Sequence, residues 1–466
     1  MSSIKDINGS ISSGYVPVNR VGFDVPMIVG VTGQRYVLKT GSGVNGLVVK
    51  SVSRDTGFNI QIIVTGSSYV YNKVGSDITI TVPTTHTIRA LIADFAVSGG
   101  ALSPFISLEA LTTGAGSLTA IASTAMSALG VYTNIQDISQ LKYYYDETDP
   151  EYVMINNMLG GQDTHVNNIY LLDVYSTLDV YGVPTSTTRD RIQLYDTGDW
   201  YFALVSSTAV TVIDGVNQYI STVKRLMGAT TSDVADLATV QGNIVYVVHP
   251  SANKDDHPEA SWVAKALVPV PGSSLWKFVK NLQGQTANTT SDLTALLAVR
   301  TAQGNSYTTQ GGQSFMNDGL VNNIGASSTS PDYIDAHILK DWIVLNSEAD
   351  ISSLFLSKVS QGSKVDYDDK GINEIFSTVM NRLLTAAKNG AIARVSPGNN
   401  TQAALSYDGV YRYGGTKPTR ASIEATSPDD IVQRILNNLT FWYIPSGGIE
   451  KVTFTGLELI TEIATA

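Results

Sequence analysis

Between Met316 and Ala393 the apolar residues recur twice over at the spacing of a helix, which restricts the chain to folds able to bury two long amphipathic helices. Ile372, Ile375, Phe376, Val379, Met380, Leu383, Leu384 and Ala387 fall at i, i+3, i+4 and i+7, so they gather on one face. Asp369 is placed to cap the start of this helix, and Asn389-Gly390 to close its end in the left-handed conformation that glycine tolerates. Just before it, Ile334, Ile338, Trp342, Leu345, Leu354 and Phe355 form a second stripe, with Asp335 and Asp341 expected to face away. The pattern predicts that both helices pack on a sheet.

The rest of the chain supplies sheets of two textures. From about Val37 to Leu118 short segments such as LVVKSV, FNIQIIVTG, YVYNKV and DITITVP alternate apolar and polar residues between glycine turns, with a helix at Thr87 to Phe95. From about Asn134 the runs NIYLLDVY, WYFALVSS and NIVYVVH read as strands buried on both faces, separated by helices. Val216, Ile220, Val223, Leu226 and Met227 are read as one helical face ended by Gly228, and Asp256 as the cap of a helix from Pro258 to Leu267. Residues 283–330 read as loops around one helix near Leu293 to Val299, and the stretch after Ser427 as helix, strand, tight turn, strand, with Ile431, Ile435 and Leu439 on one helical face. The fold class expected is α/β (α+β) and multidomain: a mixed-sheet α/β core flanked by helices, with an inserted β-rich domain near the N-terminus and extended arms at both ends.

A length of 466 residues asks for more than one core, and a hydrophobic content of 43% is ample to build them. The 41 acidic residues outnumber the 30 basic ones, a net charge of −11 that disfavours nucleic-acid and anionic-membrane partners. Charged residues make up only 15%, so a surface rich in Ser, Thr, Asn and Gly is suited to burial against copies of itself. The chain has no cysteine, which excludes disulfides, thiolate nucleophiles and cysteine metal sites. The opening residues have no apolar core of a signal peptide, and Leu118 to Val131 is too short to span a bilayer, so a cytosolic origin is expected.

Motifs for catalysis or ligand binding are incomplete wherever they begin. Gly41-Ser-Gly-Val-Asn-Gly46 matches the dinucleotide glycine pattern, yet a strand and not a helix follows, which favours a plain turn. Asp366-Tyr-Asp-Asp-Lys-Gly371 opens like a calcium loop, but Lys370 and Ser377 stand where oxygen ligands are required. Ser221 and Lys224 have the spacing of an acylation pair without its companion elements in order. His86, His165, His249, His257 and His337 show no paired spacing suited to zinc. No catalytic, cofactor or metal residue is assigned.

The order of elements resembles the contractile tail sheath proteins of bacteriophages and related injection systems. The resemblance is carried by a glycine-bearing loop at Gly319, the Tyr333-Ile334-Asp335 opening, Asp341-Trp342 inside the first helix, Gly371 at the start of the second and Gly390 at its end. It extends more faintly to the segment from Gly14 to Gly30, GYVPVNRVGFDVPMIVG. It implies an arm at 1–20, a first core segment at 21–36, an inserted β-rich outer domain at 37–122, a sheath core at 123–448 and a C-terminal strand and arm at 449–466. It further implies stacked hexameric rings around a tail tube and contraction that drives the tube through a cell envelope. Tyr15, Val16, Val18, Val452, Phe454 and Leu457 would pair with sheets of adjoining copies. The implied partners are the chain itself, the tail tube protein, and the baseplate and tail terminator proteins, with no cofactor, no nucleic acid and no membrane insertion, in a virion tail assembled in the bacterial cytoplasm. Two other classes stay open: an α/β hydrolase-like enzyme using His249 or His257, and a cell-surface adhesion module binding through the β domain.

Overall fold

A computed structural model describes residues 22–446 apart from 55, 162, 197–198, 250–252, 269, 271–274, 289–292 and 323–331. The chain enters the core as β1 (Pro26–Gly30) and then leaves it for a β-rich layer: β2 (Val37–Thr40), β3 (Leu47–Ser51), β4 (Asn59–Val64), β5 (Val70–Val74), β6 (Asp77–Val82), α1 (Ile88–Ser98), β7 (Ile106–Ala110) and β8 (Ile121–Ala125). It returns through β9 (Tyr132–Ile135), α2 (Pro150–Leu159), β10 (Ile169–Asp173), α3 (Ser186–Leu194), β11 (Phe202–Val205), α4 (Val210–Ile220), β12 (Leu226–Thr231), α5 (Asp236–Thr239), β13 (Ile244–Val248) and α6 (Pro258–Ala266). Then follow α7 (Leu293–Thr301), β14 (Tyr307–Gln310), β15 (Gln313–Met316), α8 (Ile334–Ser360), α9 (Asp369–Lys388), α10 (Asn400–Leu405), β16 (Tyr413–Thr416), α11 (Arg420–Thr426), α12 (Pro428–Gln433) and β17 (Thr440–Tyr443).

The core is a six-stranded sheet in the order β13-β12-β11-β1-β10-β9, parallel except for β9 at its edge. Every residue of β1, β11, β12 and β13 is buried, because helices cover both faces, and this is why these strands are near-continuous apolar runs. Alternation along each strand divides the sheet into two cores. Ile28, Leu171, Leu204 and Val245 face α2, α6, α8 and α9, while Met27, Val29, Leu172 and Val205 face α3, α4, α5 and α7. Both long C-terminal helices therefore cover one face of the sheet, as their stripes predict.

The β-rich layer has its own core of Leu47, Ile60, Ile78, Ile80 and Leu91, enclosed by a three-stranded sheet (β2-β3-β7) and a four-stranded one (β5-β6-β4-β8). Gly41 and Gly43 have positive φ and lead into β3, so the glycine pattern is a hairpin turn. The fold is a mixed α/β multidomain one.

Several local expectations are corrected. Leu226 and Met227 lie in β12, not on a helix with Val216: α4 stops at Ile220, and a run of few apolar residues has no periodicity to separate strand from helix. Gly228 belongs inside that strand, where an added Cβ would stand 2.8 Å from Leu204 Cδ2. The residue before α6 is His257, at φ 53°, and Asp256 sits in the preceding 3-10 turn without capping it. Residues 307–316, expected as loop, form the β14–β15 hairpin, closed by Gly311 and Gly312 at φ 57° and 75°. Helix α12 ends at Arg434 in the left-handed region, so Ile435 and Leu439 do not continue its face.

Candidate assembly site

The residues that carry the resemblance are spread along α8 and α9, from the loop before α8 to the end of α9. Tyr333 precedes α8 and bridges to Leu320, while Ile334 N donates to Gly319 O at 3.0 Å, which fastens the helix start to the loop before it. Asp335 is half-buried and accepts from Ala336 N at 2.9 Å. Asp341 was expected to face solvent; it is 5% exposed and accepts from the hydroxyl of Tyr201, which is fully buried, at 2.8 Å. Its position three residues after Ile338 puts it on the inner stripe, and the Tyr201 donor satisfies it there. His337 lies between Asp332 Oδ2 at 3.0 Å and Asp341 Oδ2 at 3.6 Å. Burial, then the adjacent Asp341 carboxylate, pushes the Tyr201 hydroxyl well above the ordinary phenol range.

At the next residue of α8, Trp342, the two helices are locked to each other. Trp342 is buried under the guanidinium of Arg382, 5.0 Å from the ring centre, and Arg382 Nε donates to Asp350 Oδ2 at 3.0 Å. The stripe runs out before α8 does: Phe355 is 40% exposed, with Leu356 and Val359 more so.

Helix α9 is capped by Asp368 and not Asp369: Asp368 Oδ1 accepts from Gly371 N at 2.7 Å, whereas Asp369 Oδ1 accepts from Arg420 N. Gly371 is there for space, since a Cβ would stand 1.9 Å from Asp366 O. At the other end Gly390 takes φ 84° and closes the helix.

Beyond Gly390 the chain builds a small platform on α9. Ala393 N donates to Ile444 O, Arg412 N to Ala393 O and Ser446 N to Ala391 O, at 2.8–2.9 Å, so the last described residues return to the end of α9. Alongside, β16 and β17 pair antiparallel, and among the described residues no third strand joins them. Gly415 brings this pair within 3.0 Å of Phe376, measured from an added Cβ. A pair of four-residue strands is marginal by itself, and Leu405, Val410 and Val432 stand exposed in the segments around it. Tyr15, Val16, Val18, Val452, Phe454 and Leu457 lie outside the described residues.

Of the groups weighed for catalysis, Ser221, Lys224 and His257 are held by other side chains. Ser221 Oγ donates to Asn217 Oδ1 at 3.1 Å and Lys224 Nζ to Glu348 Oε1 at 3.0 Å. His249 is buried at the end of β13, and burial pushes its pKa down. His257 is equally enclosed; burial alone would lower its pKa, but Glu259, 2.9 Å from Nδ1, raises it above the ordinary value. A cavity of about 280 Å³ opens between α2 and the loop after β9, lined by Gln136, Asp137, Asn156, Thr164 and Asn167 among others, and neither histidine lines it. Among the described residues no cluster of three or more His, Asp or Glu side chains is placed to hold a metal, and no helix is long and apolar enough to cross a membrane. The region combines a packed helix pair with a short two-stranded sheet.

No protein-family model and no curated protein matches the sequence. Solved structures do match. A chain in the six-fold symmetrised cryo-EM structure of the anti-feeding prophage baseplate is 11% identical, with a TM-score of 0.50 and coverage of 71% of this chain and 88% of that one. A chain of the helical sheath of the same prophage in its contracted state is 12% identical, with a TM-score of 0.48 over 72% and 88%. The crystal structure of a sheath tail protein from Listeria innocua is 12% identical, with a TM-score of 0.34 over 79% and 73%. At such identities the likeness is one of fold. This chain shares its fold with the matched chain of the anti-feeding prophage baseplate structure.

Proposed function

We propose that the chain is the structural subunit of a contractile tail sheath, polymerising as stacked hexameric rings around a tail tube and shortening to drive that tube through a target envelope. The observation that carries this reading is the shared fold across 71% of the chain. The β16–β17 pair, which no third strand joins among the described residues, supports it, because a sheet edge can take an added strand from another chain. In this reading residues 2–20 and 449–466 are the arms, residues 37–122 form the outer domain, and the α8–α9 layer turns toward the tube. Contacts that pass head to tail without closing build a filament. The stroke is released from a packing trapped at assembly, and the chain has no catalytic role. Its partners are copies of itself, the tube protein, and baseplate and terminator proteins, in a tail assembled in the bacterial cytoplasm. Negative-stain microscopy of the purified full chain should show tubes, and deletion of residues 2–20 should leave a folded protein that forms none. Normal tubes from that truncation would refute the arm assignment.

A further inference from the structure

The β-rich layer joins the α/β core through two linking segments, residues 31–36 after β1 and 126–131 before β9. Two unsupported segments would act as a hinge. Here they are held: at the head of β2 Val37 N donates to Ser127 O at 2.8 Å and Ser127 N returns a bond to Val37 O at 2.9 Å, and Arg35 N donates to Tyr144 O of the core at 2.9 Å. The buried side chain of Gln34 spans both, receiving Leu129 N at 2.7 Å and donating to Gly130 O at 2.9 Å.

Arg54 then ties the layer to the core itself. It stands on the turn between β3 and β4, yet its Nη1 donates to Gly33 O at 2.6 Å and its Nη2 reaches both carboxylate oxygens of Asp149 at 2.8 Å. Asp149 immediately precedes α2 and also accepts from Asp146 N at 2.7 Å, while Asp146 pairs with Arg35. The Arg54 and Asp149 side chains are 17% and 11% exposed, so solvent screens the pair weakly. Gly33 lets the first segment pass against the core at φ 81°, where an added Cβ would stand 2.7 Å from Tyr175.

We propose that Arg54 is the latch that sets the orientation of the β-rich layer on the core, so that the two turn as one body. The inference concerns the single chain and does not depend on the assembly proposed above. A planar fork gripping a carboxylate and a backbone carbonyl fixes direction as well as distance, which neither linking segment does alone.

The absence of cysteine makes the test direct. Spin labels attached through Ser68→Cys on the layer and Ser232→Cys on the core, both exposed sites, report one inter-unit distance by pulsed electron resonance in the full chain. The expected result is a single narrow distribution that at least doubles in width in Arg54→Ala and in Asp149→Asn. Lys50→Ala, which breaks the 2.8 Å Lys50–Glu109 pair inside the layer, should leave the width unchanged. If Arg54→Ala fails to fold, the near-isosteric Asp149→Asn decides alone. A broad distribution in the parent chain, or an unchanged width in folded Asp149→Asn, overturns the proposal.

Discussion

The hydroxyl of Tyr201, the residue before β11, donates to the carboxylate of Asp341 in the first third of α8 at 2.8 Å, joining residues 140 apart in sequence. Tyr201 is fully buried and Asp341 nearly so, and each satisfies the other there. Tyr201→Phe removes the donor and leaves a buried carboxylate short of a partner. It should cost at least about 2 kcal/mol, read as a lower denaturant midpoint with an unchanged slope. Removing both partners with Tyr201→Phe and Asp341→Leu should cost less than the sum of the single changes, and strict additivity would show that the two groups are not coupled.

The two ends of α9 use glycine for different reasons. Gly371→Ala forces a Cβ against the carbonyl of Asp366 and shifts the capping turn, whereas Gly390→Ala meets open space and only the strain of a left-handed backbone. The second should cost about 1 kcal/mol, and the first more. Thermal melts of the two variants rank them; the reverse order would mean that the start of α9 yields easily.

Asp368→Ala removes the side-chain cap from Gly371 N and should cost about 1 kcal/mol, while Asp369→Ala leaves that cap intact and should cost less. Equal losses in chemical denaturation would count against the assignment of Asp368 as the cap.

Two buried groups give stability an opposite dependence on protonation from that of ordinary surface carboxylates. His257, raised above 6.5 by Glu259, contributes stability that is fully present below pH 6.5 and is lost as the pH rises through its folded value. Glu151 is fully buried, and burial raises it above 4.5, so the folded state holds its proton more tightly and stability falls as the pH rises from 4.5 through the folded value. Glu151→Gln should therefore gain stability relative to the parent as the pH is raised from 4 to neutrality. Parallel melting curves across that range would exclude Glu151 as the source.

If the C-terminal segment is donated between copies, deletion of residues 449–466 should leave melting of the monomer nearly unchanged and abolish sedimenting polymer. A large loss of monomer stability would place that segment on its own body instead.

By itself the sequence determined the elements with long, regular patterns. The stripes of α8 and α9, the alternating strands of the β-rich layer and the apolar runs of β10, β11 and β13 each repeat one preference enough times for the period to stand out. Gly390 was legible for a similar reason, because a glycine after the last apolar position has one common use. Only the tertiary structure decided what short or polar segments do. Leu226 and Met227 became a strand because β11 and β13 flank them on either side, and the β14–β15 hairpin rests on a paired glycine turn inside an otherwise polar stretch. Asp341 is the sharpest case: its charge argued for solvent, its spacing for the interior, and the interior won because a tyrosine far away in the chain arrives with a donor. Partners supplied over such distances leave no local trace in sequence, so the Arg54–Asp149 contact and the buried contacts of α8 are properties of the folded chain alone.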